Sequence, residues 1–228
     1  MNNEVTGYVL SVQEYKEHDA MIKFLSYDLG LLNLVLPGYY KANTKQSRLG
    51  LEFSNVTYTM NYRENRLNRI VGGQLNEGFF KQRDDYDWLI EASILSELVI
   101  KLYHQDNAHG IYDWYEAIIN EKYRAKELCK MIYYFSKVHG ITPNLSGCSI
   151  CDSKAINSFS IRDAGFLCQI HSRVKDDKDE LAFLYSLALD KDVKMSQEVY
   201  ENVLNRLIQY ISYYADLNIH SWKLKTRV

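Results

Sequence analysis

Three of the four cysteines, Cys148, Cys151 and Cys168, fall in one stretch, GCSICDSKAINSFSIRDAGFLCQIHSR, which also carries His171. The spacing is C-x-x-C, sixteen residues, then C-x-x-H. Each x-x turn aims two metal-binding side chains at one point, and two turns complete a tetrahedron, as in zinc knuckles and ribbons. In a reducing compartment a C-x-x-C pair reads as metal ligands before it reads as a disulfide. The plainer reading, small cysteines beside a surface histidine, is outweighed because three of four cysteines sit at ligand spacing. Four protein ligands, Cys148, Cys151, Cys168 and His171, would fill the shell of one zinc ion. A catalytic zinc keeps a position open for water, and a zinc deaminase needs a His-x-Glu segment ahead of its C-x-x-C, which this chain lacks. The expected metal is therefore structural. Cys129 lies mid-helix on an apolar face and reads as core.

The elements that must position these ligands are short. INSFSIRDAGFLC reads as two strands around Asp163-Ala164-Gly165, so a small hairpin separates the two ligand pairs. It interrupts a helical region. Apolar residues recur at three and four over 84–106, again over 111–140 (one long helix, or two broken near Glu121), and over 180–189 and 197–217, with Ser196 as an N-cap. Gly140 and Pro143 stop the second of these. Asp84, Asp85 and Asp87 suit a helix start. Residues 4–76 differ: EVTGYVLSVQEY, AMIKFLSYD, LLNLVLPG, NVTYTMNYR and NRLNRIVGGQL are β-branched, aromatic and partly alternating, with turns between them. Five such segments in so short a stretch predict a closed barrel of the OB type, a common platform for single strands. The expected class is α+β and multi-domain: an OB barrel over 1–80, then an α-helical domain over 81–228 with a zinc-binding insertion at about 145–175.

Composition bounds the chemistry. The 228 residues are 46% hydrophobic and 25% charged, with a formal net charge of −2. No run approaches the ~20 apolar residues of a membrane span, and the N-terminus has no secretory pattern, so a cytoplasmic location is expected. Walker, G-x-G-x-x-G, G-x-S-x-G and H-E-x-x-H motifs are all missing, so no catalytic residues are assigned and the chain is not expected to be an enzyme.

Charge is uneven. Lys41, Lys45 and Arg48 lie in YYKANTKQSRLGL without an acid; Arg63, Arg66 and Arg69 face one acid, Glu64; the C-terminus adds Lys223, Lys225 and Arg227. Residues 84–120 hold eight acids against Lys101. A basic barrel edge beside an acidic helical stretch suits a protein that touches nucleic acid on one side and protein on the other. Lys41, Lys45, Arg48, Arg63, Arg66 and Arg69 are the candidate phosphate contacts, and Tyr39 or Tyr40 could stack on a base.

Taken together, these segments resemble the RecO family of bacterial recombination mediators. QEYKEHD (13–19) and SYDLGLLNLVLPG (26–38) carry the resemblance in the barrel. YYFSKVHGITPNLSGCSICDSKAINSFSIRDAGFLCQIHS (133–172) carries it in the helical half, and LIQYISYYADLNIHSWKL (207–224) resembles the family's terminal helix. The C-x-x-C after G-x-x-P is its most specific piece. Two positions depart from the pattern. The segment after the third strand is Gly38-Tyr39-Tyr40-Lys41 rather than G-A-R, and the last metal position is His171 rather than cysteine. The resemblance implies an OB barrel and a helical domain with a zinc knuckle. It also implies binding of single- and double-stranded DNA, annealing of complementary strands, and work with RecR. Engagement of the acidic tail of single-stranded-DNA-binding protein, a functional link to RecA, and association with the bacterial nucleoid during repair complete the implied role. The alternatives are a zinc-ribbon nucleic-acid adaptor in transcription or RNA handling, and a zinc hydrolase with an unusual site.

Overall fold

The apolar alternation of the first 77 residues folds, in a computed structural model of the chain, into β1 (Asn3–Tyr15), β2 (Asp19–Ser26), β3 (Gly30–Leu36), β4 (Asn55–Met60) and β5 (Asn68–Glu77). The structure describes residues 3–42, 45–64, 66–105, 108–120 and 124–225. The five strands close into a barrel in the order β1-β2-β3-β5-β4. All pairings are antiparallel except β3 with β5, which run parallel at Leu34–Asn68 and Val35–Arg69. Closure removes sheet edges and turns alternate side chains into one core. That core includes Val5, Val9, Ile22, Phe24, Leu34, Val56, Tyr58, Met60 and Ile70, all buried. The predicted OB-type barrel is therefore present, and helices follow it.

Helix α1 (Tyr86–Leu102) starts where the acidic cluster suggested: the Asp85 carboxylate accepts from the N–H groups of Asp87 and Trp88. The buried Trp88 ring packs edge-on to Phe53 and tilted against Phe79. Helix α2 (Ala108–Asn120) sets Tyr112 and Tyr115 against Tyr8 of β1, with ring centroids 5.4 and 5.0 Å away. These helices form one compact unit with the barrel, Met1–Asn120, to which His220–Val228 return. The strands do end at Glu77, near the expected divide, but the two units separate between Asn120 and Glu121. The reason is that α1 and α2 bury their apolar stripes in the same unit as the barrel.

The charges of this stretch act internally. Glu97 accepts from the main-chain N–H of His220 and Ser221 and from the Ser221 hydroxyl, and pairs with Lys101 at 2.7 Å. Glu91 pairs with Lys225 of α6 (Trp222–Lys225) at 3.2 Å, and Glu116 accepts from the Tyr8 hydroxyl at 2.9 Å. With Asp85 capping, half of the eight acids of 84–120 are tied down within the unit.

The second unit, Glu121–Ile219, contains α3 (Ala125–Val138), β6 (Ile156–Ser160), β7 (Gly165–Cys168), α4 (Lys178–Ala188) and α5 (Gln197–Tyr214). The stretch 111–140 is thus two helices, and its expected break near Glu121 lies outside the described residues. Ser196 caps α5 as predicted, accepting from the Val199 N–H. Cys129 is buried in α3, its sulfur 3.7 Å from the Tyr200 carbonyl on α5. Gly140 ends α3 at φ +69°, with Ile141 N–H donating back to the Ser136 carbonyl. Among the described residues no helix is long and apolar enough to cross a membrane.

Candidate metal centre and nucleic-acid surface

The predicted hairpin is β6 and β7, paired antiparallel from Ile156–Cys168 to Ser160–Gly165. Cys148 and Cys151 lie in the turn before β6; Cys168 ends β7 and His171 follows it. Main-chain bonds shape each turn. Cys148 N–H donates to the Ser153 carbonyl and Asp152 N–H to the Cys148 carbonyl, both at 2.9 Å. In the second turn the N–H groups of His171 and Ser172 both donate to the Cys168 carbonyl, at 3.0 and 2.9 Å. Ser149 N–H, donating to the Phe166 carbonyl at 2.7 Å, straps the first turn to β7.

The four ligand atoms converge to within 4.8 Å of one another. Cys151 Sγ and Cys168 Sγ are 3.7 Å apart, and His171 Nδ1 lies 3.5 Å from Cys148 Sγ and 3.3 Å from Cys168 Sγ. A tetrahedral site with metal–sulfur arms of ~2.3 Å requires sulfur–sulfur edges of about 3.7 Å. The donors therefore fit a zinc-sized ion in a closed three-sulfur, one-nitrogen shell. All four cysteines are free thiols, and among the described residues no carboxylate joins the cluster.

The electrostatics prepare the thiols. Burial opposes ionisation of Cys148, but N–H groups of Ile150, Cys168 and Cys151 and the His171 ring bring its pKa down to about 6. Cys168 is lowered against burial in the same way, by N–H groups of His171 and Ile170 and by the His171 ring. The Ser153 N–H favours the Cys151 thiolate, yet burial and the neighbouring sulfurs of Cys168 and Cys148 push its pKa up. Hydrogen bonds to Cys168 and Cys148 raise His171. A divalent cation bound here would displace protons from these ligands.

Polar anchors seat the hairpin. Asp176 accepts from Arg206 of α5 at 2.6 and 2.8 Å and from the Phe159 N–H of β6 at 2.7 Å. Burial opposes the charge on Asp176, but Arg206 and the Phe159 N–H hold its carboxyl below the usual range. Asn144 bridges to Gly165, whose φ is +149° and whose added Cβ would lie 2.3 Å from the Asn144 oxygen. Neither anchor was foreseen: a single Asp or Arg in sequence carries no sign of its partner 30 residues away.

The predicted nucleic-acid residues are exposed to different degrees. Tyr39 is half-buried, its ring packed over Gly50 and its hydroxyl donating to the Gly50 carbonyl. Tyr40 is 44% exposed, edge-on to Tyr39, with its N–H donating to the His18 carbonyl. Of the two rings, Tyr40 is the one with a free face. Lys41 and Arg48 are exposed; the Lys45 side chain lies outside the described residues. Arg69 is paired with Asp19 at 3.1 Å, and Asp19 also accepts the Gly38 N–H. Tyr40, Lys41 and Arg69 are thereby gathered at the turn between β1 and β2. Arg63 and Arg66 line a concavity of about 450 Å³ with Leu29, Asn33, Tyr62 and Tyr103. Arg48 lines a separate one of about 450 Å³ with Gly72, Gly73 and Leu75. The buried Asn68 shapes the arginine loop, accepting the Arg63 N–H and donating to the carbonyls of Arg63 and Arg66. At the C-terminus Lys225 is paired with Glu91, and Arg227 lies outside the described residues.

Comparison with known proteins adds two findings. Residues 1–79 match the family model described as Recombination protein O N terminal. Over 95% of its length the chain is 26% identical to 93% of a DNA repair protein RecO from Mycoplasma mycoides subsp. mycoides SC. It is 24% identical to the protein of that name from Oceanobacillus iheyensis, covering 98% of the chain and 93% of the relative. For Desulforamulus reducens the figures are 23%, 99% and 94%.

Proposed function

We propose that this chain, a member of the RecO family, is a DNA repair protein that binds DNA through its barrel and promotes pairing of complementary strands. The observation that carries the reading is the closed OB-type barrel with Lys41, Arg48, Arg63 and Arg66 exposed on it. Cations on loops contact phosphates without reading sequence. Neutralising two strands on one surface brings them together, and Tyr40 supplies a stacking face. No bond is made or broken in such a step. The Cys148, Cys151, Cys168 and His171 set supports a structural zinc ion: thiolates and imidazole that fill the shell leave no place for a reacting water. What zinc would supply there is cross-linking of two turns; the chain's own N–H groups and His171 prepare the thiolates.

The partners follow from the same reading: single- and double-stranded DNA, RecR, and single-stranded-DNA-binding protein, with RecA loading as the outcome, in the bacterial cytoplasm. A concavity of about 620 Å³ in the second unit supports the acidic-tail partner. Leu145, Ile156, Phe166 and Leu181 give it an apolar floor, with Lys154 and Lys178 beside them. That combination suits a peptide that is both acidic and apolar.

The test is annealing of complementary oligonucleotides, followed by co-precipitation with RecR and with single-stranded-DNA-binding protein. Annealing faster than the protein-free rate, falling steeply with salt, is expected. No DNA binding at any salt concentration would sink the reading.

A further inference from the structure

The two metal-binding turns share a feature that ligation does not require. Ile150 stands between Cys148 and Cys151, and Ile170 stands at the matching position between Cys168 and His171. Ile150 is 57% exposed and Ile170 is 82% exposed, the most exposed large hydrophobic side chain among the described residues. Val174, just beyond, is 62% exposed. The N–H groups of Ile150 and Ile170 face the sulfurs of Cys148 and Cys168. Their backbones are thus fixed by the ligand turns while their side chains project outward. Because the four ligand atoms meet within 4.8 Å, both tips occur at the same end of the hairpin.

These isoleucines do no packing work that the fold needs. The local core is Cys148, Leu167 and Cys168 with Ile156 against it. Any residue tolerant of a turn would serve between the ligands, and a cluster of exposed aliphatic side chains marks contact with something else. Its surroundings give the sign of the partner. Lys154, Arg173 and Lys175 are exposed near the tips, with no ion pair among the described residues. Asp152 is the exposed acid there; Asp176 is bound to Arg206, and Asp177 caps α4. The partner is therefore anionic and offers apolar faces.

The shape separates two such partners. An acidic amphipathic peptide needs a groove, and the concavity floored by Leu145, Ile156, Phe166 and Leu181 is lined by none of Ile150, Ile170 and Val174. Exposed apolar side chains on two turns, with exposed cations close by in sequence, suit contact with unstacked bases. We propose that the paired turns form a base-contacting wedge, with Ile150 and Ile170 on unpaired bases and Lys154, Arg173 and Lys175 on the adjoining phosphates. The wedge rests on the DNA-binding reading above. It gives the metal centre a purpose beyond closing a loop: a rigid base for two apolar tips.

The experiment uses the full zinc-loaded chain and a single-stranded oligonucleotide carrying 2-aminopurine, alone and at a junction with duplex. The parent protein should change the fluorescence of the reporter base. The double variant Ile150→Ser, Ile170→Ser should lose most of that change and bind the single strand about tenfold more weakly, with the same salt slope and the same zinc content. The triple variant Lys154→Ala, Arg173→Ala, Lys175→Ala should instead reduce the salt slope, by about two units for three single-strand contacts. Ile150→Trp with Ile170→Trp should tighten binding and show tryptophan quenching, which keeps the test decisive if the serine variant loses metal. A serine variant that binds and reports like the parent overturns the wedge alone. So does one that loses only co-precipitation of RecR or single-stranded-DNA-binding protein, since the tips would then be a protein contact. A parent that binds no DNA overturns both readings.

Discussion

The barrel and the metal-binding hairpin are both small β structures, held by opposite means. The barrel closes five strands around a dozen fully or nearly buried apolar residues, with Phe24 and Tyr58 packed 4.7 Å apart at their ring centroids. The hairpin has two strands and a core of Cys148, Leu167 and Cys168. Two strands are marginal alone in water. The hairpin is completed by four converging ligands, by the Asp176–Arg206 pair and by the Asn144–Gly165 bridge. Where enough apolar area is available, alternation suffices; where it is not, converging ligand side chains and charged anchors stand in its place.

That contrast can be broken most forcefully at the metal. Cys148→Ser should abolish stoichiometric zinc binding and destabilise the second unit by several kcal/mol. Apparent binding free energies of structural zinc sites are about 10–16 kcal/mol. Metal analysis with calorimetry checks this, and an unchanged melting profile in a zinc-free variant would mean that the ligands are not a cross-link. The barrel should keep its own melting transition.

Next comes the bridge. Gly165→Ala places a Cβ 2.3 Å from the Asn144 oxygen at a φ of +149°, and should cost about 3 kcal/mol. Gly140→Ala, also at positive φ but with nothing within 4 Å of its Cβ, should cost about 1 kcal/mol. Equal losses in denaturant titrations would show that the close approach is not what matters at Gly165.

In the barrel unit the sharpest polar contact is Glu97. Burial works against its charge, but Lys101, Ser221 and the His220 N–H bring its pKa from 4.5 to about 2. A carboxyl with a depressed folded pKa stabilises above its unfolded value, and that contribution is lost as pH falls through the folded one. The expected loss is therefore spread between about pH 4.5 and pH 2 and, with solvent screening of a partly exposed carboxylate, is on the order of 1–2 kcal/mol. Glu97→Gln should be less stable at pH 7 and flatter across that window; parallel acid titrations of parent and variant would count against the assignment.

The smallest effect on stability belongs to Lys41→Ala, Lys45→Ala and Arg48→Ala combined. These substitutions should leave melting and zinc content unchanged. They should weaken DNA binding about equally for any sequence, with roughly one unit of salt slope per phosphate contact removed. A titration identical to the parent's would shift attention to Arg63 and Arg66.

Much of this was legible in the chain. Five alternating segments predicted the barrel, and the repeated x-x spacing predicted which four side chains converge, because both are local patterns with a fixed period. Ser196 could be read as a cap, and Asp84, Asp85 and Asp87 as a helix start, for the same reason. What could not be read is who meets whom across long separations. Asp19 pairs with Arg69 from fifty residues away, and Gly50 receives the ring of Tyr39 while Tyr40 stays the more exposed of the two. The acids of 84–120 looked like a protein-facing surface, yet Glu91, Glu97 and Glu116 are bound to Lys225, Ser221 and Tyr8. Charge density in sequence does not distinguish a solvated carboxylate from one with a distant partner.

The contact between Glu97 and His220–Ser221 orders events during synthesis. A ribosome releases α1 more than a hundred residues before the segment that satisfies Glu97. The Glu97 carboxylate must therefore do without these donors until Glu121–Ile219 has been synthesised. Loss of His220 and Ser221 would therefore leave its mark on the first-made unit, not on Glu121–Ile219.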